Sequence, residues 1–385
     1  MRADSADFNG IDRGVFVMKK IRRFAWLAIF VCFAIVTFGL SVCADDSENE
    51  SKIDVSLPEE LLDYLPDGVD EFSASDVLKS FDFQFFSKVG LRILAEAAPE
   101  AAKSFALLLG LLILSATLGV VRRTVALPSL QVVMELVSMV CIASAVFSVT
   151  ETAFGLAEGF VSTLSSFMRQ ITPTMTAFMV ASGQISSAAV VSGVIFTAIS
   201  LLESIVANIL FPMIRLSLCL SLVTSIFGIS GLSGIAPVIK KIISYVFGFV
   251  SLCLSAVLLF QNMIAKSTDS LTLRGIKFAV GQFVPFVGSA VNEALSTMMG
   301  GIGTIKAATG VIGAVAVCLI AAVPVIRILL HKMFLEWISI CAGILGLGGE
   351  GKLMGEMASF LGYTAAVMAI SAVFFILSLS LMASV

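Results

Sequence analysis

Ser104-Phe105-Ala106-Leu107-Leu108-Leu109-Gly110-Leu111-Leu112-Ile113-Leu114-Ser115-Ala116-Thr117-Leu118-Gly119-Val120-Val121 carries no charge and is closed by Arg122-Arg123. A bilayer core of about 30 Å needs roughly 20 apolar residues in a helix, so this run reads as a membrane span. The same texture recurs along the chain. Residues 130–150, 185–210, 216–239, 242–265, 307–326 and 357–385 are further predicted spans, and 334–349 is apolar but short. The expected fold is an all-α polytopic integral membrane protein with about seven transmembrane helices, six to eight being tolerable.

Composition agrees with that reading. The 385 residues are 58% hydrophobic and 13% charged, with a mean hydropathy of +1.04. A soluble domain averages about 45–50% apolar and about 25% charged residues. The surplus apolar surface excludes a soluble enzyme, a secreted disulfide scaffold, a disordered regulator and a nucleic-acid binder. Charge is partitioned rather than spread. Residues 1–44 hold 6 basic and 3 acidic side chains, 45–103 hold 5 and 15, and the remainder 13 and 9.

The partition predicts three regions. Residues 1–44 read as a signal peptide: Met18-Lys19-Lys20-Ile21-Arg22-Arg23 is a basic start, 24–40 an apolar core, and Ser41-Val42-Cys43-Ala44 a small-residue cleavage site. Met18 is an alternative start. A lipoprotein box at Leu40-Ser41-Val42-Cys43 and an uncleaved anchor are rival readings, and all three leave residue 45 outside the cytoplasm. Residues 45–103 form an acidic extracytoplasmic segment, whose Phe-rich end (Phe81, Phe83, Phe85, Phe86) suits the membrane surface. Residues 104–385 are the polytopic domain.

Lys/Arg bias sets orientation. It places Arg122-Arg123, Arg215 and the loop 266–277 in the cytoplasm, and Glu151 and Glu158 outside. Two stretches are too apolar for loops and too interrupted for plain helices: 152–182, with Arg169 and Pro173, and 278–301, with Gly281, Pro285, Gly288 and Glu293. They are expected to be Pro/Gly-broken re-entrant or interfacial helices, because irregular backbone at depth needs protein or water to satisfy it.

No catalytic, cofactor-binding or metal-ligating set can be assembled. The seven cysteines form no CxxC pair, and the single histidine, His331, reads as a juxtamembrane polar residue. Gly346-Leu347-Gly348-Gly349-Glu350-Gly351-Lys352-Leu353 has phosphate-loop spacing, but Leu353 replaces the hydroxyl that would hold magnesium. A connection between membrane helices accounts for it better. Intramembrane carboxylates remain: Glu135, Glu203 and Glu293. Ionisable groups at depth are costly and face a bundle interior or an aqueous path. A proton- or ion-coupled role and structural pairing, with Arg169 or Arg215, both fit them.

One block is distinctive. Arg274, Lys277-Phe278, Gly281, Phe283, Pro285 and Val287-Gly288, followed by Glu293, resemble the stage III sporulation protein AE family of endospore-forming bacteria. The resemblance extends loosely over residues 50–385. It implies a multi-pass protein of the mother-cell-derived membrane around the forespore, within a complex linking mother cell and forespore. Its implied partners are other stage III sporulation proteins, including a cytoplasmic secretion-type ATPase and ring-forming components, besides the lipid bilayer. It carries over no catalytic residues. Arg274 and Lys277, three apart, share a helical face, and Gly281, Pro285 and Gly288 interrupt the helix behind them. That suits a docking element coupled to a gate, or an ordinary positive-inside anchor beside a kinked span. Two functions stay open: a non-enzymatic platform or gate, and a self-sufficient secondary transporter working through Glu135 or Glu203.

Overall fold

Long helices dominate the computed structural model, which describes residues 83–124, 128–227 and 288–384, with scattered helical positions between 238 and 256. The first helix, α1 (Phe83–Thr124), is followed by α2 (Pro128–Ala181) and α3 (Ile185–Ile205). A π turn (Val206–Leu210) joins α3 to α4 (Phe211–Phe227). The last two are α5 (Gly288–Ile344) and α6 (Gly348–Ser384). Among the described residues five helices are long and apolar enough to cross a membrane, with α3, the π turn and α4 counted as one. The predicted spans 216–239 and 242–265 lie partly or wholly outside the described residues, as do residues 1–82.

Helix α6 is the core. Met357, Ala358, Phe360, Leu361, Thr364, Ala365, Val367 and Met368 are all buried, so no side of it faces outward for three turns. A helix apolar on every side has to be covered on every side. It runs antiparallel to α5 in a register that places Ala383 against Gly310, Leu379 against Gly313, Gly362 against Lys332 and Gly351 against Ser339. Helix α2 packs on both, its Ile171 and Met175 reaching Gly313 and Gly310. Helix α1 lies along α5, where Ala97 and Ala101 cover Leu330 and the ring of Phe105 meets Phe334 at 5.1 Å.

Two turns have the same construction. Gly183 (φ 86°) and Gly346 (φ 73°) take the left-handed conformation that ends a helix. Gln184 N–H then bonds the carbonyl of Met179 and Gly183 N–H that of Val180; Leu347 and Gly346 do the same with Ala342 and Gly343. Both hairpins therefore reverse the chain within three residues. The glycine-rich run 346–353 is this ordered reversal plus the first turn of α6.

The helices are longer than the sequence suggested. Residues 152–182, expected to be broken, continue α2 through Pro173 to Ala181. Pro173 sits on the outward side, so the carbonyl it leaves unbonded turns away from the core. Residues 307–326 and 334–349 are likewise joined, through Arg327, His331 and Lys332, into α5. Nor does α1 break at the boundary expected after Lys103. At 1.5 Å per residue the 54 residues of α2 extend about 81 Å and the 57 of α5 about 86 Å, against about 30 Å of bilayer core.

Candidate functional site

Glu151, Glu158 and Arg169 lie seven and eleven residues apart in α2. Both intervals close on nearly whole turns, so the three share one face. Thr152, Gly155, Gly159, Ser162, Thr163, Ser166, Gln170 and Thr174 complete that face, and all are exposed. Among the described residues, no large apolar side chain of α2 is exposed between Phe147 and Val180. The opposite face, with Phe154, Phe160, Leu164, Phe167 and Met168, fills the core. Below Phe147 the pattern changes: Val132, Val133, Leu136, Val137 and Val140 point outward. An apolar outer face suits lipid. A polar one at membrane depth needs water or protein against it.

The charges of this face are answered by α3 and α4. Arg169 Nη2 donates to Glu203 Oε2 at 2.6 Å. Arg215 Nη2 lies 3.1 Å from Oε1 of both Glu151 and Glu158. Glu203 and Arg215 are twelve residues apart, which would turn them about 120° from each other on a regular helix. The π turn between them, closed by Phe211 N–H on the carbonyl of Val206, winds in one extra residue. It thereby restores both side chains to the side facing α2, and it absorbs the strain of Pro212 just beyond it. The pairs are half exposed (50% for Arg169, 35% for Glu203), so in water each would stabilise by at most about 1 kcal/mol. Their chief effect is to fix the level of α2 against α3 and α4. They also correct the expected orientation, which put Arg215 on the opposite side of the membrane from Glu151 and Glu158.

Of the residues singled out from sequence, Glu203 belongs to this face. Glu135 does not: Arg122 Nη1 holds its Oε2 at 2.8 Å across the α1–α2 reversal. Glu293 is exposed near the start of α5, its backbone carbonyl accepting from Thr297 Oγ1 at 2.9 Å. Arg274, Lys277, Gly281 and Pro285 lie outside the described residues, and Gly288 opens α5. His331 is buried within α5 rather than peripheral. Its Nδ1 is 2.8 Å from the carbonyl of Arg327, which only accepts, so Nδ1 carries the proton. Beside it Lys332 pairs with Glu336 at 3.1 Å and lays its stem on Gly362.

Two features escaped the sequence reading. One is the outward polar face of α2, whose signal was the seven- and eleven-residue spacing. The other is Lys306, 3% exposed, whose Nζ donates to Gln184 Oε1 at 2.9 Å. A lysine two residues from a Gly-rich run gave no sign of burial.

Lys352, the residue that would meet a nucleotide in the phosphate-loop reading, is exposed on the first turns of α6. Lys352→Ala is expected to change stability by no more than about 0.5 kcal/mol and to leave sporulation at the parental level. Spore counts and the thermal midpoint of the purified variant check this; loss of spores at normal protein level would revive nucleotide binding.

Comparison with known proteins fits this architecture to a family. The family model described as stage III sporulation protein AE matches residues 73–385. The stage III sporulation protein AE of Bacillus subtilis (strain 168) is 28% identical over 229 residues, which is 59% of this chain and 57% of the relative's own length. No solved structure matches the chain. The match runs through all six helices and the block around Arg274 alike, and the chain belongs to the stage III sporulation protein AE family.

Proposed function

We propose that this protein is a non-enzymatic multi-pass component, a platform or gate, of the sporulation complex that connects mother cell and forespore. The observation that carries the reading is the length of α2 and α5. Each is more than twice as long as a bilayer core is thick. Part of an apolar bundle must therefore stand clear of the lipid, where other proteins have to cover it. Cytoplasmic secretion-type ATPase and ring-forming siblings are the partners that family membership suggests. Arg274 and Lys277 would supply a docking point on such a partner, with Gly281, Pro285 and Gly288 as the yielding element behind it.

Purification from sporulating cells tests the reading directly. Sibling stage III proteins are expected to co-purify with the parental chain and to be lost with Arg274→Glu/Lys277→Glu at unchanged protein level. Recovery of the chain alone would overturn it. The transporter reading makes the opposite demand on the carboxylates. Because Glu135 and Glu203 are held in half-exposed ion pairs, Glu135→Gln and Glu203→Gln are expected to sporulate near the parental level. Abolished sporulation in either, with the protein present, would favour a self-sufficient transporter.

A further inference from the structure

The polar face of α2 is matched by the surface of the chain's own next two helices. Along α2 the order is acid, acid, base: Glu151, Glu158, Arg169. Along α4 and α3, at the same levels, it is base and then acid: Arg215, Glu203. These pairs are half exposed and sit on the outer side of the seam, so each charge keeps a side open to a second partner. Copies of one membrane protein are inserted in the same direction and stand at the same height. A neighbour's α3–α4 face therefore meets this α2 face with every opposite charge already level, without sliding along the membrane normal. There is also room for close approach. A Cβ placed on Gly155 or Gly159 would meet nothing within 4 Å.

We propose that the α2 face docks a second copy of this chain, inserted in the same direction, through that copy's α3–α4 face. The contact is head to tail, since the two surfaces are different, and such contacts close into rings when the rotation allows. It removes from lipid a face that lipid cannot solvate, and small residues at a helix contact let two backbones approach closely. Self-association is measurable without any sibling protein, so its outcome is independent of complex membership.

The test uses the full chain in membranes, with native cysteines replaced. Two differently tagged copies are co-expressed, one with Ser162→Cys on α2 and the other with Asn208→Cys in the π turn. A short bifunctional maleimide should give a mixed-tag dimer, and Val137→Cys on the apolar face in place of Ser162→Cys should not. Gly155→Leu/Gly159→Leu should lower the mixed product about tenfold, equivalent to roughly 1.4 kcal/mol of association, with unchanged accumulation and thermal midpoint. Absence of the mixed dimer, or its persistence in the leucine variant, overturns the proposal. If Ser162→Cys instead reacts fully with an impermeant maleimide while no dimer forms, the face lines water and the proposal is equally overturned.

Discussion

Gly310→Leu/Gly313→Leu is expected to prevent stable accumulation of the protein. A Cβ on Gly310 would lie 2.5 Å from that of Ala383, and one on Gly313 would lie 2.6 Å from Ile171 Cδ1 and 3.1 Å from Leu379 Cδ1. Ala383 has no torsion with which to withdraw its methyl, so α5 and α6 must separate at that level. Ile171 can rotate, but its other side is packed by the buried core of α2. Overpacking typically costs about 1–3 kcal/mol per site, and total stabilities are about 5–15 kcal/mol. Both glycines face the same three-helix junction, so neither substitution can relax at the other's expense. Gly193→Leu is the matched control, because a side chain there meets nothing within 4 Å. Immunoblots of membranes and thermal midpoints in detergent decide it. A double variant as abundant and as stable as Gly193→Leu would mean that the α5–α6 contact is looser than described.

What could be read from sequence was the apolar character of the helices, and what could not was where they end. Residues 357–385 were legible because α6 is apolar on every side, which no soluble surface helix is. Helices α2 and α5 were cut at their charges, since a window of about 20 residues takes a charge as the edge of a span. Glu151, Glu158 and Arg169 are instead answered laterally from α3 and α4, and Lys332 from Glu336 one turn along. Pro173 was read as a break, yet a proline on the outer side of a helix forfeits a bond that solvent or a partner can replace. Gly183, five residues from Phe178 in the same stretch, does end the helix, because it takes a positive φ. The twelve-residue spacing of Glu203 and Arg215 hid their shared face. Only the π turn aligns them, and nothing in Val206-Ala207-Asn208-Ile209-Leu210 announces a π turn except the proline that follows. The face on α2 was within reach of spacing arithmetic once the helix was known to be continuous.

Gln184→Leu is expected to destabilise the fold more than Lys306→Met, although the lysine carries the charge. Lys306 is 3% exposed in α5, and Gln184, in the reversal between α2 and α3, offers its Oε1 at 2.9 Å. An ammonium loses its hydration on burial and depends on the acceptors around it. Removing an acceptor while the charge stays costs about 1.5–3 kcal/mol, the range for hydrogen bonds to charged groups. Removing the charge itself leaves a neutral amide, whose desolvation is cheaper, and methionine fills nearly the same volume. Both residues have further interactions in the bundle, so the pair is separated from its surroundings by a double-mutant cycle. Gln184→Leu/Lys306→Met should recover most of the loss seen in Gln184→Leu, because an apolar pair replaces a buried ionic one with little penalty. Thermal midpoints of the four proteins in one detergent supply the cycle. If the double variant is as unstable as Gln184→Leu, the glutamine acts through the turn it occupies, between Met179 and Ala188, and the lysine's burial is not what it serves.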